Sequence, residues 1–154
     1  GMTPRAARFA SLLLAAGMAL QGCSLPRWPV DAPVTSGFGL RFLGMDPDIH
    51  RGVDLNVGTG TPVEAMSRAQ VRFAGVMTGF GNVVWLDHGG GTLTVYAHLS
   101  EVHVREGEQV QARQIIGLSG ATGNVTAPHL HFEVWRWGRE VDPVPLLGGL
   151  PGRS

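Results

Sequence analysis

Asn82-Val-Val-Trp-Leu-Asp-His-Gly-Gly-Gly-Thr-Leu-Thr-Val-Tyr-Ala-His-Leu99 decides the fold class. Val83 to Leu86 is apolar at every position, which suits a strand covered on both faces. Gly89 to Gly91 mark a turn, and Thr92 to Leu99 then alternates polar and apolar with the two-residue period of a strand. The two runs are expected to pair as an antiparallel hairpin. Outward from it the signature repeats: Val53 to Val57 and Ala69 to Ala74 alternate, and Val110 to Leu118 reads as short, broken strands. His129 to Trp137 is entered through Pro128, whose ring also restrains Ala127 to extended backbone. Twenty-three glycines and ten prolines punctuate the chain, and no long helical period follows Cys23. The expected fold is mainly β, with antiparallel sheets in a sandwich or a partly closed barrel and a short N-terminal signal helix ahead of them.

The ends have a different character. Gly1 ahead of Met2 reads as a cloning remnant, and Arg5 and Arg8 precede an apolar run of twelve residues from Phe9 to Leu20. A membrane-spanning helix needs roughly 20 such residues, so the run fits the core of a signal peptide covering residues 1–22. Leu20-Gln-Gly-Cys23 resembles a lipobox, the site where bacterial lipoproteins are cleaved and acylated. Cys23, the only cysteine, is therefore expected to anchor the chain to a membrane through lipid. Ser24 after it favours the outer membrane, with the domain facing the periplasm. Leu25 to Pro33 holds three prolines and is expected as a stiff tether. Residues 34–147 then form one domain, and 148–154 a flexible tail. Beyond Cys23 ten arginines and no lysine face twelve acids, a balance of −2, which speaks against a nucleic-acid partner.

The chemistry lies in His50-Arg-Gly-Val-Asp54, Tyr96-Ala-His98-Leu and His129-Leu-His131. Side chains at i and i+2 of a strand share a face, so His129 and His131 point the same way, about 7 Å apart. The same rule groups Thr92, Thr94, Tyr96 and His98 on one face and Leu93, Val95, Ala97 and Leu99 on the other. On a straight strand His50 and Asp54 would stand about 13 Å apart, so a shared metal requires a bend, for which Gly52 is the permissive residue. Two imidazoles and a carboxylate suffice to hold Zn²⁺ with one coordination position open, and two further imidazoles remain to handle protons.

These motifs resemble the lysostaphin/LytM-type zinc metallopeptidases, peptidase family M23, which cut peptide bonds in bacterial cell walls. The resemblance runs from about Ser36 to Asp142 through Gly37-Phe-Gly-Leu-Arg41, His50-Arg-Gly-Val-Asp54, Gly60-Thr-Pro-Val63, Gly81-Asn82, Tyr96-Ala-His-Leu99, Pro128-His-Leu-His-Phe-Glu133 and Val141-Asp-Pro143. It implies His50, Asp54 and His131 as ligands of one zinc ion, His98 and His129 as the catalytic pair, and peptidoglycan as the partner. Zinc would activate water and polarise the scissile carbonyl. His129 would act as general base or hold the water, and His98 would stabilise the oxyanion. Tyr96 is a candidate for the substrate groove.

Other residues have plainer readings. His88 supports the glycine turn, His103 is an exposed strand residue, and Glu133 either orients a ligand imidazole or packs. Trp85, Trp135 and Trp137 read as core or sheet-face residues. Arg113 departs from the family, which often has glycine nearby, and this puts the local turn in question. The competing function is a non-hydrolytic envelope lipoprotein that activates a cell-wall amidase, but all five polar positions are present. A biotinyl or lipoyl carrier fails because the chain has no lysine to modify.

Overall fold

The computed structural model describes residues 25–43 and 46–152. The expected signal segment and its helix, together with the Cys23 lipidation site, lie outside the described residues. In chain order the elements are β1 (Val34–Ser36), β2 (Gly39–Leu43), β3 (Asp46–His50), β4 (Val53–Leu55), β5 (Pro62–Glu64), β6 (Ala69–Met77), β7 (Gly81–Gly89), β8 (Thr92–Leu99), β9 (Glu101–Val102), β10 (Gln109–Val110), β11 (Ile115–Leu118), β12 (Leu130–Arg136), β13 (Arg139–Val141) and α1 (Pro143–Leu146). The large sheet is ordered β1-β4-β12-β8-β7-β6-β10, with β13 paired to β12, and β5-β11-β9 form a second sheet. A two-stranded ribbon, β2-β3, stands apart. The large ladder ends openly at β1 and β10, so the mainly β expectation stands as packed antiparallel sheets and the barrel alternative falls.

The β7–β8 hairpin forms as expected, with Trp85 opposite Val95 and Leu86 opposite Thr94. Its inner face sends Val84, Leu86 and Tyr96 into a core completed by Val53, Leu55, Leu130, Phe132 and Val134 of the same sheet and Val63 and Ile116 of the smaller one. Each such side chain removed from water stabilises by about 1.5–3 kcal/mol. The outer face carries a second cluster, in which Val83, Val95 and Ala97 are covered by Phe73, Phe80, Trp85 and Trp135. That answers why Val83 to Leu86 is apolar throughout: both faces of β7 are used.

Tyr96 requires a correction. It is fully buried, 5.3 Å from the Phe132 ring, and its hydroxyl accepts from Met66 N at 2.9 Å and from Thr94 Oγ1 at 2.9 Å. Burial pushes its phenol well above the ordinary range. The alternation that placed it was right, but the face it shares with Thr94 is the core, not the groove.

Residues 26–32 also differ from a free tether. Val30 and Ala32 are buried, and Trp28 packs 6.1 Å from Phe132 while donating its Nε1–H to Gly149 O at 2.9 Å. The expected stiff, extended run is not what forms: the backbone bends at residues 29–31, and Pro29, Val30 and Ala32 are buried against the domain. The bond to Gly149 likewise holds part of the expected tail against the domain. Asp142 caps α1 by accepting from Val144 N at 3.0 Å, with proline in the first turn.

Candidate active site

Asp54 and His131 are direct cross-strand partners in the β4–β12 pairing. That register alone brings Asp54 Oδ1 to 2.9 Å from His131 Nδ1. His50 arrives by a bend: β3 ends at His50, and β4 starts at Val53 in another sheet. Gly52 permits this for a steric reason. A Cβ there would lie 2.4 Å from Phe132 O and 2.9 Å from Glu133 Cγ. His50 Nε2 thereby stands 3.3 Å from both Asp54 Oδ1 and His131 Nδ1. One ligand atom from each of His50, Asp54 and His131 lies within 4.8 Å of the others.

His98 reaches the same place by breaking the alternation expected of β8. Between Tyr96 and Leu99 the strand carries one residue more than its partner, and His98 takes φ +64. This bulge turns His98 away from Tyr96 and leaves Leu99 to fill the core. The His98 ring lies 4.9 Å from that of His129 and 6.0 Å from that of His131. His129 Nε2 is 3.6 Å from Asp54 Oδ1. All five expected residues therefore converge on one open cleft of about 620 Å³, whose other walls include Phe80, Asn124 and Val125.

Each imidazole is oriented from behind, which fixes the nitrogen it offers. His50 Nδ1 lies 2.9 Å from Gly37 O, leaving Nε2 for the cluster. His131 has the reverse arrangement, with Nε2 2.9 Å from Glu133 Oε1 and Nδ1 facing Asp54. Nδ1 of His98 and of His129 donate to Thr122 O at 2.8 Å and Ala127 O at 3.0 Å, so both keep Nε2 for the cleft. Glu133 is thus decided. Its buried carboxylate takes His131 on one oxygen and the Trp135 indole N–H on the other at 2.7 Å.

Sequence reasoning missed Thr122, which anchors His98 and also accepts from Asn82 N at 3.0 Å and donates to Leu99 O at 2.6 Å. The available signal was glycine. A Cβ at Gly81 would strike Thr122 C at 2.4 Å, and one at Gly123 would strike Gly81 N at 2.5 Å. His88 and His103 stay outside the cluster. His88 is wedged between Ser67 Oγ at 2.8 Å and Thr94 Oγ1 at 2.7 Å, and His103 pairs with exposed Glu101 at 2.8 Å.

The electrostatics fit a divalent cation. Burial opposes a charged His131, yet hydrogen bonds to Asp54 and Glu133 carry its pKa up to about 9. Burial also opposes ionisation of Asp54, but His131 and His50 hold it well below the usual carboxylate range. The cluster draws positive charge to the point between its three members, and two nitrogens with one carboxylate oxygen are a set that Zn²⁺ accepts. Burial pushes the His98 pKa down and favours its neutral form; the bond to Thr122 O opposes this, and the neighbouring His129 and His131 add to it.

Known proteins resemble this chain in sequence and fold. The chain is 40% identical over 118 residues to the DD-carboxypeptidase/endopeptidase Mpg of Neisseria meningitidis serogroup B, covering 73% of this chain and 26% of that protein. It therefore spans about a quarter of that relative's length. A zinc-containing peptidase from Vibrio cholerae superposes with a TM-score of 0.73 at 34% identity, over 80% of this chain and 39% of the other. The catalytic domain of lysostaphin from Staphylococcus simulans gives 0.70 at 39% identity, over 77% of this chain and 93% of the domain. With residues 48–143 matching the family as a whole, the chain belongs to peptidase family M23.

Proposed function

We propose that this protein is a zinc-dependent endopeptidase that hydrolyses peptide cross-links of bacterial peptidoglycan. The observation that carries the reading is the convergence of His50, Asp54 and His131, with His98 and His129 on the open side. When bound, zinc supplies Lewis acidity and lowers the pKa of a water towards about 7. His129, held at Nδ1 by Ala127 O, uses Nε2 as the base that takes the proton of the attacking water and returns it to the leaving amine. His98, held at Nδ1 by Thr122 O, turns Nε2 to the cleft, where in its protonated form that N–H would hydrogen-bond the oxyanion without giving up the proton. Phe80, 6.1 Å from the His131 ring, forms an apolar wall of the cleft. The name of the Neisseria relative favours a cross-link between D-amino acids.

The lipobox-like Leu20-Gln-Gly-Cys23 supports a lipid anchor at Cys23 and a place in the cell envelope, at the outer membrane facing the periplasm. Activation of a cell-wall amidase is the second role such a lipoprotein could have, and the intact five-residue set weighs against it as the sole role. Mass spectrometry of purified peptidoglycan digested by the wild type, His129→Ala and chelator-stripped protein tests the reading. New amino termini are expected from the wild type alone. Equal release by His129→Ala would refute its assigned role, and inert wild type that stimulates an added amidase would establish the activator.

A further inference from the structure

The glycine turn Gly89–Gly91 and Trp137 take no part in the histidine cluster, yet they meet on the same sheet face. Trp137 is 77% exposed and holds φ +52 in the two-residue turn between β12 and β13, a conformation bulky side chains seldom adopt. One face of its indole rests on Gly91, where a Cβ would come within 2.4 Å of a ring carbon. A bond from Trp137 N to Gly91 O at 2.8 Å fixes the contact. The exposed indole and the glycine turn together line an open cleft of about 480 Å³. Across it stand Arg72 and Asp87, paired at 3.2 Å and 67% and 35% exposed, with Asp87 Oδ1 steadied by Gly89 N at 2.9 Å. Leu93 also lines this cleft and shares its face with Val95 and Ala97, the latter paired with His131. The cleft and the histidine cluster therefore lie along one face, about 20 Å apart over six strand residues.

An indole seated against a glycine and left 77% exposed is a platform for the C–H face of a pyranose ring. A guanidinium donor beside a carboxylate acceptor suits the hydroxyl and amide groups at a sugar's edge. An apolar peptide would leave that pair unused, and a phosphate backbone would meet Asp87. We infer that this cleft binds a pyranose of a polysaccharide, specifically an N-acetylated amino sugar of the glycan strand. The inference rests on the peptidoglycan reading, because only then does one substrate supply both a sugar and a peptide. A separation of about 20 Å corresponds to roughly six residues of extended peptide, the scale of a cross-linked stem reaching from the glycan to the histidines.

The test is an NMR titration of ¹⁵N-indole-labelled protein with the N-acetylglucosamine tetramer. The Trp137 signal is expected to shift while that of Trp28 stays in place. Trp137→Ala should weaken binding at least tenfold, Arg72→Ala several-fold, and Trp137→Tyr less than threefold. In parallel, the ratio of hydrolysis rates on intact sacculi and on a soluble, sugar-free peptide dimer should fall at least fivefold in Trp137→Ala. No shift at Trp137, tetramer binding of undiminished strength in Trp137→Ala, or an unchanged ratio would overturn the sugar site. A Trp137 shift in protein that cuts neither substrate would instead keep the sugar site and defeat the hydrolase reading.

Discussion

Glu133 stands behind His131 with both carboxylate oxygens engaged, one by the imidazole at 2.9 Å and one by the Trp135 indole at 2.7 Å. A buried acid held in this way fixes the ring angle of a metal ligand and raises its basicity. Glu133→Ala is expected to weaken zinc affinity by about 10–100-fold in a chelator competition, with the far-UV spectrum unchanged. Glu133→Gln should lose less, because its amide oxygen still accepts from His131. Equal affinities in all three proteins would reduce Glu133 to packing. Arg113 makes the opposite case, a residue set against its backbone. It holds φ +66 while its N–H bonds Ala65 O at 3.1 Å, so the glycine often found nearby in the family answers to a left-handed turn. That conformation costs an L-residue roughly 1–2 kcal/mol, partly offset by the greater chain entropy of unfolded glycine. Arg113→Gly should therefore gain about 0.5–1 kcal/mol, read as a rise of a few degrees in Tm.

At the scale of elements, the active site depends on one bulge and the loop that props it. Gly81 opens β7 at φ +65, and an added Cβ would meet the Thr122 backbone at 2.4 Å. Gly81→Ala must push loop 120–124 away, and with it the carbonyl that orients His98. The expected result is a fall in kcat of tenfold or more with zinc affinity close to wild type, since the atoms an added Cβ meets belong to Thr122 and Gly123. A proportional loss of zinc would show that the loop supports the whole cluster instead. This arrangement also marks what the sequence could and could not tell. The β7–β8 hairpin was legible because its alternation and glycine turn are local, and His129-x-His131 was legible for the same reason. The bulge was not: strict alternation put His98 beside Tyr96, and only the register against Asn82 and Val84 reveals the extra residue. Which face of β8 is the core is equally non-local, so Tyr96 was placed in the groove although it packs on Phe132. Strands β1, β2, β3 and β13 are three to five residues long and carry too few positions for a period to emerge.

At the scale of the whole molecule, the core joins segments from both ends of the chain. Trp28 lies between Phe132, whose strand carries the ligand His131, and the Gly149 carbonyl beyond α1. The backbone nearby is stitched in from Arg27 N to Met66 O at 3.0 Å and from Glu64 N to Pro29 O at 2.9 Å. From Cys23 to Trp28 there are five residue steps, at most about 18 Å of extended chain, so an anchor at Cys23 would hold the catalytic sheet close to the membrane. A segment that were only a tether could be changed without touching stability. Removing a fully buried indole costs about 3–5 kcal/mol, and Trp28 is half-buried, so Trp28→Ala is expected to lose about 2–3 kcal/mol. Chemical denaturation would show this as a lower midpoint with an unchanged slope, because the same surface is exposed on unfolding. Zinc affinity in the folded variant should stay near wild type, since Trp28 packs on the face of the β12 strand opposite His131. A midpoint within error of wild type would mean that the first packed residues of the domain lie beyond Trp28.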